Sequence, residues 1–408
     1  MKKESSLPSI IGCLVVQLCV GILYLWSVFR TPVQNTFGMT TSAVTMVSSI
    51  MLFSFVLGNL VGGFINDKKN PKFANVIGVI LFALGIGLTG LLNAKTSSLI
   101  YLTYCIMGGL GSGIAYGACI SCIQKWLPHK RGFASGLAVS AFGLSTVVFT
   151  PVSNWLIGRF TLDDGTANFM AVFFILAGVF AVLGLIACVF IKLPTENYIK
   201  SLNIPASKSP MGQKNYTLGE AIKTVPFWCI FLSIFFINGT WNLTSPIIKT
   251  LGMDRGLTES LAVFAVSFTG IPNAAGRLLM ASLSDKIGRI PTMIILCAMT
   301  LVGAICMTFI TGIPYIVVVG VIAFAYGGPS ALNAAMSTDF FGPKNSGTNY
   351  GVIMLALGFS SIFFNWISTT FLKSDPVPTF IMAAITAVVP VLLMYIISRY
   401  QKKDAKAK

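Results

Sequence analysis

Arg277 is the residue of this sequence with the most chemistry to offer. It lies about 20 residues into the apolar run 257–282, where a guanidinium costs about 2.5–3.5 kcal/mol on insertion scales and cannot discharge itself by losing a proton. All twelve Asp and Glu residues fall in loops, tails or the ends of apolar runs, so none shares that interior with it. A planar guanidinium matches a carboxylate in a bidentate fork, which makes a carboxylate ligand the natural counter-ion. Asn273 precedes Arg277 by four residues, one helical turn on the same face, so both side chains can address one ligand. Other chemistries are poorly provided for. The single histidine, His129, stands beside Pro128 and Lys130 in a loop, and no Ser–His, Asp–Asp or metal-ligand constellation lies inside the apolar runs, so we expect no enzyme, cofactor or metal site. The nine cysteines lie within or at the ends of apolar runs without metal-ligand spacing and read as small hydrophobes. The run Gly108-Gly109-Leu110-Gly111-Ser112-Gly113 sits in an apolar segment with no preceding strand; close helix packing explains it better than nucleotide binding.

The elements that must position these residues are helices in a bilayer. Of 408 residues, 55% are hydrophobic and 10% charged, against about a quarter charged in a soluble domain. Twelve apolar runs are long enough to span, at 8–29, 43–65, 73–93, 97–123, 132–155, 168–191, 224–248, 257–282, 290–311, 314–339, 347–372 and 377–398. The formal charge of +16 would suggest nucleic acid in a soluble protein, but here its distribution is topogenic. With both termini cytoplasmic, 21 Lys and Arg lie inside, 6 outside, and Arg277 alone within a span, as the positive-inside rule requires. The expectation is a multi-pass protein of the cell (inner) membrane whose first apolar run is a helix rather than a cleaved signal. The Lys- and Pro-containing stretch 192–223 reads as a cytoplasmic linker between bundles at 1–191 and 224–398, with a basic tail at 399–408. An internal repeat supports this division. Asp67-Lys68-Lys69 is answered by Asp285-Lys286-Ile287-Gly288-Arg289, 218 residues later, and Arg131-Gly132-Phe133-Ala134-Ser135-Gly136 by Ser346-Gly347-Thr348-Asn349-Tyr350-Gly351, 215 later. The fold class is therefore an all-α membrane protein of twelve transmembrane helices in two pseudo-symmetric six-helix bundles, the architecture of a rocking secondary transporter.

The repeated loop resembles the Gly-x-x-x-Asp-(Arg/Lys)-x-Gly-(Arg/Lys) signature of the major facilitator superfamily. The second copy matches at Asp285, Lys286, Gly288 and Arg289, with Ala281 for the leading Gly; the first keeps Gly63, Asp67, Lys68 and Lys72 but has Asn70 for Gly. A carboxylate at a helix end, facing cations and a neighbouring helix N-terminus, can act as a latch, so Asp67, Lys68, Asp285, Lys286 and Arg289 are its expected members. Asn345-Ser346-Gly347-Thr348-Asn349-Tyr350-Gly351, the stretch from Gly21 to Phe29 containing Tyr24 and Trp26, and Gly270 to Arg277 resemble the oxalate/formate antiporter family and its monocarboxylate-transporter relatives. That resemblance implies that Arg277 holds a substrate carboxylate and that Tyr116, Tyr326 and Tyr24 line the cavity. Oxalate-specific members add a lysine in the eleventh span; the matching residue here is Leu357. One cation would leave one carboxylate of a dianion buried and uncompensated.

The substrate expected is therefore a small monocarboxylate, L-lactate or a close analogue, carried by alternating access. Proton-coupled relatives commonly carry an Asp one turn before the arginine, where this chain has Asn273; Asp254 and Glu259, near outer span ends, are the candidates for proton coupling. Proton symport is the favoured mode. The alternatives are an oxalate/formate-type anion exchanger and, from another class, a nutrient sensor, for which the tail 401–408 is too short a signalling domain. Expected partners are the anion, a proton and membrane lipid, with no nucleic acid, and the protein is expected to be a monomer.

Overall fold

A computed structural model describes residues 4–21, 25–161, 168–202, 214–371 and 376–406, which form α-helices, with a 3-10 segment at Ala94–Leu99 and a π-helical segment at Tyr101–Gly108 leading into the fifth of them, and contain no β-strand. In order these are α1 (Leu7–Val20), α2 (Trp26–Phe37), α3 (Thr41–Lys68), α4 (Pro71–Thr89), α5 (Gly109–Trp126), α6 (Arg131–Arg159), α7 (Phe169–Phe190), α8 (Glu196–Ser201), α9 (Leu218–Ala221), α10 (Val225–Thr244), α11 (Ile248–Asp254), α12 (Glu259–Phe268), α13 (Gly270–Ile287), α14 (Arg289–Cys306), α15 (Pro314–Phe341), α16 (Ser346–Thr370) and α17 (Pro376–Lys406). Among the described residues ten helical segments are long and apolar enough to cross a membrane. The two expected spans missing from that set are the first and the eighth, each described as two shorter helices: α1 with α2, and α12 with α13.

Sequence chemistry explains the boundaries. Thr40, Asn70, Asn168 and Thr258 cap α3, α4, α7 and α12, each accepting a hydrogen bond from a backbone N–H of the first turn. The division of the eighth span follows from Pro272, which has no N–H to offer the Phe268 carbonyl and whose ring crowds it. Helical pairing resumes at Asn273, whose N–H bonds the Thr269 carbonyl at 3.1 Å. Large apolar side chains such as Leu84, Val182 and Leu392 remain more than half exposed, as expected where hydrocarbon rather than water is the solvent.

The chain forms two compact units: Met1–Trp126 with Ala141–Ile204 and Ser346–Gly351, and Leu127–Ser140 with Pro205–Asn345 and Val352–Lys408. The start of α6 thus packs with the second unit and the start of α16 with the first. Within the first unit α3, α4 and α5 pack closely, and a Cβ at Gly113 would overlap the Phe55 carbonyl. Within the second, α13 and α15 cross so tightly that a Cβ at Gly276 would overlap the Phe324 carbonyl and one at Gly327 the Asn273 carbonyl. Small residues let membrane helices approach in this way.

The linker stretch is docked at its described ends. In the first unit Tyr198 of α8 packs edge-on against Trp126, ring centroids 5.0 Å apart. In the second, Tyr216 packs edge-on against Phe341 at 6.0 Å. Thr217 and Glu220 form a capping box for α9. The Lys214 ammonium, followed by the Thr217 N–H and hydroxyl, holds the Glu220 carboxyl down at about 2.

Candidate functional site

Arg277 is 6% exposed on α13. Its Nε donates to Asn273 Oδ1 at 2.9 Å and its Nη1 to the Val139 carbonyl at 3.1 Å. The one-turn spacing therefore does bring Asn273 and Arg277 together, with the amide serving as a brace that aims the guanidinium. These neutral oxygens orient the cation without cancelling its charge. Val139 comes from the start of α6, and two neighbouring contacts keep that helix against α13: Ser140 Oγ donates to the Ala274 carbonyl at 3.0 Å, and a Cβ on Gly136 would stand 2.7 Å from the Arg277 carbonyl. Pro272 lies five residues before Arg277, so the interruption of the eighth span falls next to the Asn273–Arg277 turn.

The Gly327–Asn273 approach sets α15 beside this turn, and the next residue, Tyr326, is half-buried and stacked on Trp241 of α10 with centroids 4.8 Å apart and planes 11° from parallel. Trp241 was not among the residues the sequence singled out; an aromatic in an apolar run carries no spacing that distinguishes it from packing. Leu357 on α16 is half-buried and packs against the core cluster that includes Leu332, Met336 and Ile353. Tyr116 belongs to the first unit, 3% exposed, edge-on to both Phe55 and Phe142 at 5.1 and 5.0 Å. Tyr24 lies outside the described residues.

The two proton-coupling candidates sit in a different setting. Glu259 pairs with Lys249 at 2.8 Å, and its side chain is 71% exposed; Asp254, the last residue of α11, is exposed as well. Both are at the end of the second unit that carries the turn into α12.

At the opposite helix ends the repeated loops build two carboxylate caps. Asp285 accepts from the N–H groups of Gly132 and Phe133 at 2.9 and 2.8 Å, at the start of α6. Asp67 accepts from those of Gly347 and Thr348 at 3.3 and 2.7 Å, at the start of α16. A negative charge there complements the helix dipole and fills orphan donors. Asp285 also pairs with Arg289 at 2.7 Å; Arg289 pairs with Asp339 at 2.7 Å, and Asp339 with Arg131 at 2.9 Å. Arg289 Nη1 further donates to Ser284 Oγ. Lys68 and Lys286 are exposed and take no part in these bonds. Arg131 and Asp339 were not anticipated in this network, because in sequence each is an ordinary charge at a span end. Lys72, read as the closing cation of the first loop, is displaced from that role: the residue in register with Arg289 is Pro71, at the first position of α4, and Lys72 Nζ reaches the Val189 carbonyl at 3.5 Å instead.

Comparison with known proteins agrees with this geometry. The chain matches the Major Facilitator Superfamily over residues 10–365 and 230–408. It is 25% identical over 364 residues to the uncharacterized MFS-type transporter YhjX of Escherichia coli (strain K12), covering 87% of this chain and 85% of that protein. It is also 25% identical over 357 residues to the oxalate:formate antiporter of Oxalobacter formigenes, covering 87% and 82%. Among solved structures, the proton:xylose symporter XylE superposes with a TM-score of 0.70 at 17% identity, covering 97% of both chains; this likeness bears on fold alone. With twelve spans, paired carboxylate caps and a match along nearly its whole length, this chain belongs to the Major Facilitator Superfamily and is a multi-pass membrane transporter.

Proposed function

We propose that the transporter carries a small monocarboxylate, L-lactate or a close analogue, by alternating access, with Arg277 as the carboxylate-binding residue. The observation that carries this reading is the buried guanidinium of Arg277, braced through Nε by Asn273 and through Nη1 by the Val139 carbonyl. A cation held in a membrane-embedded site by neutral groups favours an anion, and its fixed plane favours a carboxylate. Leu357 argues for one carboxylate rather than two, since a second would be buried without a cation. The stacked Trp241–Tyr326 pair offers a flat apolar wall beside the Asn273–Arg277 turn for a short alkyl group. The kinship with the oxalate:formate antiporter supports a small carboxylate as the substrate class. We place both termini in the cytoplasm of the cell that holds it, on the charge distribution, and the carboxylate caps at Asp67 and Asp285 on that side as contacts released when the site opens there.

Coupling has two readings. Proton symport needs a carboxyl whose charge changes with substrate, and Asp254 is the residue left for it. Anion exchange is favoured by two observations: the neutral Asn273 stands at 2.9 Å from the guanidinium, and Glu259 is tied up in an exposed ion pair with Lys249.

Counterflow of labelled L-lactate in proteoliposomes tests the substrate. We expect Arg277→Gln to weaken lactate by roughly tenfold to a hundredfold, the equivalent of about 1.5–3 kcal/mol for hydrogen bonds to a charged group. Wild-type counterflow rates in that variant would remove Arg277 from the site. Stimulation of uptake by an imposed proton gradient without internal anion would restore symport over exchange.

A further inference from the structure

The second unit carries a groove that the carboxylate site does not use. It encloses about 540 Å³ and is lined by apolar side chains and Gly320, a volume within the roughly 300–1,000 Å³ of small-molecule sites. One wall is α12 with the start of α13, from Leu261 through Phe268 to Pro272; the other is α15, from Ile313 through Val317 and Val321 to Phe324. On both walls the spacing follows the helical period, so each presents one apolar face. Where Phe268 crosses α15 the walls close, since a Cβ on Gly320 would stand 2.9 Å from its ring. One turn nearer the helix ends, Phe264 and Val317 remain 52% and 63% exposed.

The groove has the length of one leaflet. Residues 261 to 272 and 313 to 324 each rise about 16 Å at 1.5 Å per residue, and half of a hydrocarbon core of about 30 Å is about 15 Å. It begins at the polar turns that end these helices: Glu259, paired with Lys249, stands two residues before Leu261, and the Gly312 N–H bonds the Arg255 carbonyl at 2.8 Å just before Ile313. It ends at Pro272 and Phe324, beside the Asn273–Arg277 turn. At the mouth the half-buried Arg255 donates through Nη2 to the Thr308 carbonyl, a neutral partner that leaves its charge uncancelled. With Asp254, Lys249 and Glu259 beside it the mouth holds two cations and two anions, so net charge does not select the ligand.

We propose that this groove holds one acyl chain of a glycerophospholipid, from the leaflet opposite the Asp285 end of α13, with the lipid phosphate at Arg255. The surrounding hydrocarbon is as apolar as the groove, so burial alone confers no preference. The preference comes from van der Waals contact on two walls and from a charge-assisted bond at the mouth. Touching both sides of the Phe268–Pro272 interruption, the chain packs α12 against α15 and stabilises this unit.

Protein stripped of lipid in detergent is titrated with phosphatidylglycerol, and its melting temperature is read, since a ligand of the folded state raises it. Val317→Trp and Val321→Trp fill the groove, two positions guarding against one variant that fails to fold. We expect them to lose most of the gain that wild type shows. Leu392→Trp, on α17 and as exposed as Val317, is expected to keep it. Equal gains in all four proteins assign the effect to bulk lipid and overturn the proposal. Native mass spectrometry of the same samples is expected to find one more retained lipid in wild type and Leu392→Trp than in the filled variants; equal numbers overturn the groove as the site. Diacylglycerol, with the same tails and no phosphate, is expected to bind wild type roughly tenfold more weakly, one hydrogen bond to a charged group, and Arg255→Gln to abolish that difference. Equal binding of the two lipids to wild type, or an undiminished difference in Arg255→Gln, overturns the phosphate contact.

Discussion

The two carboxylate caps share a backbone and differ in charge. In each unit an Asp at the end of one helix accepts two N–H bonds from the start of another, and a helix crossing without a Cβ brings them together. A Cβ on Gly63 would overlap the Gly347 carbonyl, and one on Gly132 the Ala281 carbonyl. Around Asp285 lies an ionic chain through Arg289 and Asp339 to Arg131. Around Asp67 the corresponding place of Arg131 is Ser346, whose hydroxyl lies 3.1 Å from Ser121 Oγ, and Asn66 bridges Ser121 and Asp67 at 3.2 and 3.0 Å. The difference teaches that the geometry of a cap is set by backbone approach and helix-end donors, while its strength is adjusted separately by side-chain charge. On our proposal the two caps then oppose opening with unequal strength.

The largest expected effect removes the shared feature. Gly63→Val and Gly132→Val each push side-chain atoms into a carbonyl, and we expect both to destabilise by about 3 kcal/mol or more, read as a large fall in detergent melting temperature. If one were tolerated, that crossing would not be what holds its cap. A smaller effect separates the caps by charge. Asp285→Asn leaves Arg289 with a single carboxylate in a largely buried network and should cost about 2–3 kcal/mol. Asp67→Asn, which weakens the helix-end bonding and the Asn66 contact, should cost about 1 kcal/mol. Equal losses in the same melting assay would show that the ionic chain adds nothing. The smallest pair concerns the turn after each Asp. Gly288 has φ +99°, which an L side chain rarely adopts, so Gly288→Ala should cost about 1 kcal/mol. Asn70 stands at φ −173° and caps α4 through Phe73 N at 2.8 Å, so Asn70→Gly should cost only a few tenths. A reversed order would sink the account of why the two loops differ.

That last contrast shows how far the sequence could be read. Asn70, which departs from the loop signature, is a helix cap where the other copy has Gly288 at positive φ. The apolar runs, their repeat and the isolation of Arg277 from acids were legible because membrane solvation acts on composition and spacing directly. The Asn273–Arg277 pair was legible because one helical turn is local geometry. Trp241, the Val139 carbonyl and the Arg131–Asp339 pair were not, since each acquires its role from a partner on a distant helix. The interruption of the eighth span was within reach, as Pro272 stands in plain view beside the site.

The sequence by itself determined that this chain crosses a membrane repeatedly, that its two halves are copies, and that a lone cation sits among apolar residues, because burial cost and helical period are properties of short stretches. Only the tertiary structure decided which neutral oxygens aim that cation and which cap is ionic. Those outcomes depend on approaches of a few ångströms between helices, which no local pattern encodes.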